Sequence, residues 1–60
     1  MSSKKVESGG KTYTITESRG KLVVTLGSFD WGDEIARVNT EKEAFNAIKA
    51  HSGSDRISIS

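Results

Sequence analysis

KTYTITESRGKLVVTL, residues 11–26, decides the fold. From Lys11 to Ser18 the side chains alternate: Tyr13 and Ile15 take one face, and Thr12, Thr14, Thr16 and Ser18 take the other. That period of two is the pattern of a half-buried strand. Ser18-Arg19-Gly20-Lys21 is a polar, glycine-containing turn of hairpin length. Lys21 to Leu26 then returns as a second strand, with Leu22, Val24 and Leu26 inward and Val23 and Thr25 outward. An antiparallel hairpin with one apolar and one threonine-rich face is the expected nucleus.

Downstream, Gly27-Ser28-Phe29-Asp30-Trp31-Gly32 has turn formers at both ends and two aromatics between, and it reads as a loop or bulged connection. Glu34 to Asn39 is a third strand whose inward set is ambiguous: Ile35 lies on one face, Ala36 and Val38 on the other. Thr40 followed by Glu43 matches a capping box. Ala44, Phe45 and Ile48 form an apolar stripe behind it, and Gly53 is placed to end the helix after about three turns. Asp55 to Ser60 alternates again, with Ile57 and Ile59 on one face, as a short last strand. Upstream, residues 1–10 contain only Val6 as an apolar residue beyond Met1, too little burial to offset ordering, and they read as a flexible tail.

The expectation is one α+β domain over 11–60, ordered β-β-β-α-β, a small, mostly antiparallel sheet of three to four strands with a single helix on one face. The expected core is Tyr13, Ile15, Leu22, Val24, Leu26, Val38, Phe45, Ile48, Ile57 and Ile59. The last strand can flank either the first or the third.

Composition limits what such a domain can do. Sixty residues hold one domain, and without cysteine there is no disulfide or thiolate metal site to support it. Leu, Ile, Val and Phe make up 13 of the 60 residues, just above the level at which chains stay disordered. A homodimer sharing a sheet edge is therefore as reasonable as a monomer. Nine basic and eight acidic side chains give +1, far from a general nucleic-acid coat. No window approaches a membrane span or a signal-peptide apolar region, which points to a cytosolic protein with no membrane partner.

Catalysis needs converging polar groups in a pocket. The single histidine, His51, falls near a helix C-terminus, where an imidazole interacts with the helix dipole. None of the nine serines sits in a nucleophile elbow, and the glycines form neither a phosphate loop nor a dinucleotide fingerprint. Asp30, Asp33 and Glu34 lack calcium-loop spacing and read as a solvated acidic loop. The chain is expected to be non-enzymatic and to need no cofactor.

Two surfaces remain. One is the acidic-aromatic loop, where Phe29, Asp30, Trp31, Asp33 and Glu34 combine interface-type aromatics with a rim suited to a basic protein partner, such as a nucleic-acid-binding complex. The other is the threonine face with Arg37, flat enough to dock a partner.

A short antiparallel sheet followed by one helix, over residues 12–51, resembles AP2-type DNA-binding domains and the arm-binding domains of phage integrases. That resemblance implies a sheet face lying on nucleic acid, here with basic residues at the hairpin tip (Arg19, Lys21) and in or beside the tail (Lys4, Lys5, Lys11). The size, layout and lack of catalytic motifs also resemble small phage-encoded inhibitors of the anti-CRISPR type. That resemblance implies a binding module that modulates a host nucleoprotein complex by protein contact, through Phe29, Asp30, Trp31, Asp33 and Glu34. The alternative is nucleic-acid binding through Lys4, Lys5, Lys11, Arg19, Lys21 and Arg37; a third is an assembly subunit pairing through sheet edges. Charge placement separates the first two: either Arg19, Lys21 and Arg37 converge on one face or they disperse.

Overall fold

The alternating stretch forms the centre of a five-stranded antiparallel sheet. In a computed structural model describing residues 3–27 and 32–59, the elements are β1 (Ser3–Ser8), β2 (Lys11–Ser18), β3 (Lys21–Leu26), β4 (Asp33–Val38), α1 (Glu41–Ser52) and β5 (Ser58–Ile59). The sheet order is β4-β3-β2-β1-β5. The fold is thus the small α+β arrangement expected, with one strand more: β-β-β-β-α-β.

That extra strand corrects the reading of residues 1–10 as a flexible tail. Ser3 to Ser8 pairs along its whole length with β2, from Ser3 opposite Thr16 to Ser8 opposite Lys11. Its one apolar residue, Val6, sits opposite Tyr13, and both are fully buried. A strand needs only one deep anchor when its neighbour supplies the ladder. Gly9 and Gly10, at φ +59° and +78°, close the hairpin in the left-handed region that a two-residue primed turn demands. Gly9 is favoured for a second reason, since a Cβ there would lie 3.0 Å from the Ser52 carbonyl oxygen and press on it.

The face bearing Val6, Tyr13, Ile15 and Val24 packs against Ala44 and Ile48 of α1. Leu22, Leu26, Ile35, Ala36, Val38, Phe45 and Ile57 surround this centre, partly buried. A register shift between Val24 and Thr25 marks a bulge in β4 at Ile35. It resolves the ambiguous strand, because the extra residue lets Ile35, Ala36 and Val38 all contribute to the core while Glu34 and Arg37 turn away. Ile59 is not core: it is 58% exposed. It stands opposite Val6, but β5 is the edge strand and α1 contacts β1 to β4 without reaching it.

The helix ends carry the expected caps, except that the Glu43 side chain meets the Thr40 hydroxyl and not the Thr40 amide that a capping box would satisfy. The Thr40 hydroxyl oxygen accepts from the Glu43 amide at 3.2 Å, and Gly53, at φ +75°, donates its amide to the Lys49 carbonyl at 3.0 Å. The Glu43 carboxylate accepts from the Thr40 hydroxyl at 3.1 Å. At the other end, the buried Ser8 hydroxyl lies 2.9 Å from that of Ser52 and donates to the Arg56 carbonyl at 2.6 Å. These bonds tie β1, the helix C-terminus and the last segment together, so the final strand lands beside β1.

Tyr13 is the largest fully buried side chain, and its hydroxyl lies 2.8 Å from Nδ1 of His51, with the rings edge-to-face at 5.6 Å. Burial raises the phenol above its ordinary value of 10.0. An acid whose folded-state value is raised contributes stability that is intact below the unfolded value and is lost as pH climbs above it. Unfolding midpoints measured across pH 9 to about 11 should therefore fall with rising pH. Tyr13→Phe should flatten that slope while costing about 1 kcal/mol near neutrality. An unchanged slope in the variant would contradict this.

Candidate functional site

The sheet face turned away from α1 carries Ser3, Lys5 and Glu7 on β1, the even-numbered side chains of β2, Val23 and Thr25 on β3, and Glu34 and Arg37 on β4. This threonine face is less open than its sequence suggests. Thr14, Thr16 and Thr25 retain only 3, 7 and 2% of their exposure. Two of the three hydroxyls turn toward backbone: Thr14 donates to the Gly27 carbonyl at 2.8 Å and Thr25 to the Thr14 carbonyl at 3.3 Å, while the buried Thr16 hydroxyl has no hydrogen-bond partner among the described residues. Gly27, at φ +119°, directs its carbonyl to that face as the chain leaves β3. The threonines are therefore not a free docking plane.

Its accessible cationic part is the end formed by the β2–β3 hairpin. Ser18, Arg19, Lys21, Val23 and Arg37 line one shallow concavity of about 240 Å³. The register brings them there: Ser18 opposes Lys21 and Val23 opposes Arg37, so the hairpin tip and β4 converge. Arg37 is held by the Glu34 carboxylate through Nε at 3.2 Å and Nη2 at 2.9 Å. The hydrogen bond from Arg37 lowers the Glu34 carboxyl below its ordinary value, opposed by desolvation and aided by the Arg37 charge; the same hydrogen bond raises Arg37. Lys21 Nζ donates to Asn39 Oδ1 at 2.9 Å. Arg19 has no ion-pair or hydrogen-bond partner among the described residues. The concavity therefore gathers three cations against one carboxylate, in a chain whose net charge is only +1.

The other basic candidates separate from it. Lys4 is on the helix side, bonded to Glu41 at 2.7 Å. Lys5 is exposed on the far face opposite Thr14, and Lys11 is at the opposite end of β2 from the tip. Both lysines of the supposed basic tail are thus strand residues pointing to opposite faces. Of the acidic-aromatic candidates, Phe29, Asp30 and Trp31 lie outside the described residues. Asp33 and Glu34 are exposed on β4, opposite Leu26 and Thr25.

A larger cavity of about 450 Å³ lies between the Gly9-Gly10 turn and residues 56–58, with one arginine and one glutamate in its lining. Among the described residues no group of three or more potential ligands could hold a metal, and no helix is long and apolar enough to cross a membrane. No family model, curated protein or solved structure matches this chain.

The Glu34–Arg37 pair is solvent-exposed, so removing it changes stability little, but it occupies a guanidinium that an incoming anion would use. Glu34→Gln should delay elution from a heparin column to higher salt while leaving the melting temperature nearly unchanged. Earlier elution would contradict the assigned competition.

Proposed function

We propose that this chain is a non-enzymatic binding module that grips the phosphate backbone of nucleic acid with the tip of its β2–β3 hairpin. The observation that carries the reading is the convergence of Arg19, Lys21 and Arg37 on one concavity at the end of the sheet. Guanidinium and ammonium groups recognise phosphodiester oxygens through charge-assisted hydrogen bonds and release condensed counterions as they do so. Ser18 adds a neutral hydroxyl at the same site, and the exposed Lys5 extends positive charge along the same face. Contacts of this kind position a protein on the backbone and carry little sequence information.

A second reading has support of its own. β4 is an edge strand, with exposed Asp33 and Glu34 beside the connection that carries Phe29, Asp30 and Trp31. An edge with an acidic rim suits a basic protein surface, in the manner of a small phage-encoded inhibitor that modulates a host nucleoprotein complex. On that reading Trp31 is the anchor.

Fluorescence anisotropy of labelled random duplex DNA and single-stranded RNA, at low and physiological salt, distinguishes the two. Salt-sensitive binding that is lost in the Arg19→Glu/Lys21→Glu variant is the expected result. Absence of binding even at low salt would overturn the nucleic-acid reading and leave protein contact, tested next by pull-down with Trp31→Ala.

A further inference from the structure

Arg19 is the only described residue other than glycine with a positive φ, +52°. It occupies the first central position of the Ser18-Arg19-Gly20-Lys21 turn, and Gly20 follows at φ +79°. Two successive positive φ values define the primed turn that matches strand twist, and its first position favours Asn, Asp or Gly. A long side chain there is strained, because Cβ crowds the following carbonyl. The same molecule solves the same problem without strain at the β1–β2 turn, where both central residues are glycine.

Nothing in the packing explains the arginine. It is exposed, and it has no ion-pair or hydrogen-bond partner among the described residues. Residues held in such sparsely populated backbone regions cluster at binding and active sites. What this one carries is a free guanidinium at the outer end of the cationic concavity, beside a paired Arg37 and a hydrogen-bonded Lys21. It is the one cation of the three that can meet a ligand without first leaving a partner.

We infer that Arg19 is the principal phosphate contact of the hairpin tip, held in an unfavourable turn conformation for its guanidinium, so that stability and binding oppose each other at this position. The inference rests on the nucleic-acid reading above. Arg19 takes two phosphate oxygens through its planar fork, which an ammonium at the same place cannot reproduce.

Substitutions at this one position test it. Arg19→Asn and Arg19→Gly relieve the turn and should raise the melting temperature by a few degrees. Losing one counterion-releasing contact should weaken binding to a random duplex about tenfold at about 50 mM salt and about fourfold at about 150 mM. The slope of log affinity against log salt should shrink by about one. Arg19→Lys keeps charge and strain but not the fork, so it should bind less tightly than wild type at an unchanged melting temperature. Lys42→Gln, an equal charge change on the helix, should alter affinity less than about twofold.

If the wild-type protein does not bind duplex at low salt, the nucleic-acid reading fails and takes this inference with it. If the wild type binds and Arg19→Asn weakens it no more than Lys42→Gln, the inference alone is overturned. It is equally overturned if Arg19→Asn weakens binding without raising the melting temperature, because stability and binding then do not oppose each other.

Discussion

The pairing of Val6 with Tyr13 across β1 and β2 is the contact on which the rest of the molecule depends. β2 lies in the middle of the sheet, and Tyr13 stands between Val6 on one side and Leu26 on the other. Its ring is buried under α1 and its hydroxyl meets His51 of the last helical turn. Without β1, β2 would be an edge strand and Tyr13 would lose one wall. A domain of this size has no reserve of apolar area to replace it. His51 accordingly has a structural duty: it satisfies a phenol that burial would otherwise leave unpaired.

The two faces of the sheet divide the work. One face is committed to the helix. The other presents buried threonines at its centre, and the hydroxyls of Thr14 and Thr25 are turned to backbone, so it is nearly as fixed. What remains adaptable is the hairpin end, where side chains are long and charged and the backbone is pinned by ladders on both sides. Charged groups held on a rigid turn lose less freedom on meeting a ligand than the same groups on a loose tail. The bulge in β4 serves that arrangement: it adds Ile35 to the core beside Ala36 and Val38 while Glu34, opposite Thr25, stays on the outer face with Arg37.

Much of this is visible in the chain itself. The hairpin over residues 11–26 and the capped helix are legible because periodicity, turn chemistry and caps all agree there. β1 is not, because Ser3, Lys4, Lys5, Glu7 and Ser8 carry no hydrophobic signal and its partner supplies its stability. The clue lies in Gly9-Gly10, a two-residue primed turn directly before the strongest strand. Ile59 misleads for the opposite reason, being apolar and in phase on a strand that the helix does not cover. The threonines mislead because alternation gives a face but not its exposure. Arg19, Lys21 and Arg37 are individually obvious, but their convergence depends on the pairing of β4 with β3, which a linear pattern does not encode.

The most direct test of this division between a committed face and a contacting tip is a titration of the ¹⁵N-labelled protein with random duplex DNA, followed by amide chemical shifts. The account predicts perturbations at Ser18 to Lys21, Val23 and Arg37, with α1 and β5 unmoved. Perturbations centred on α1, or spread over Lys4 and Lys11 with the tip silent, would contradict it.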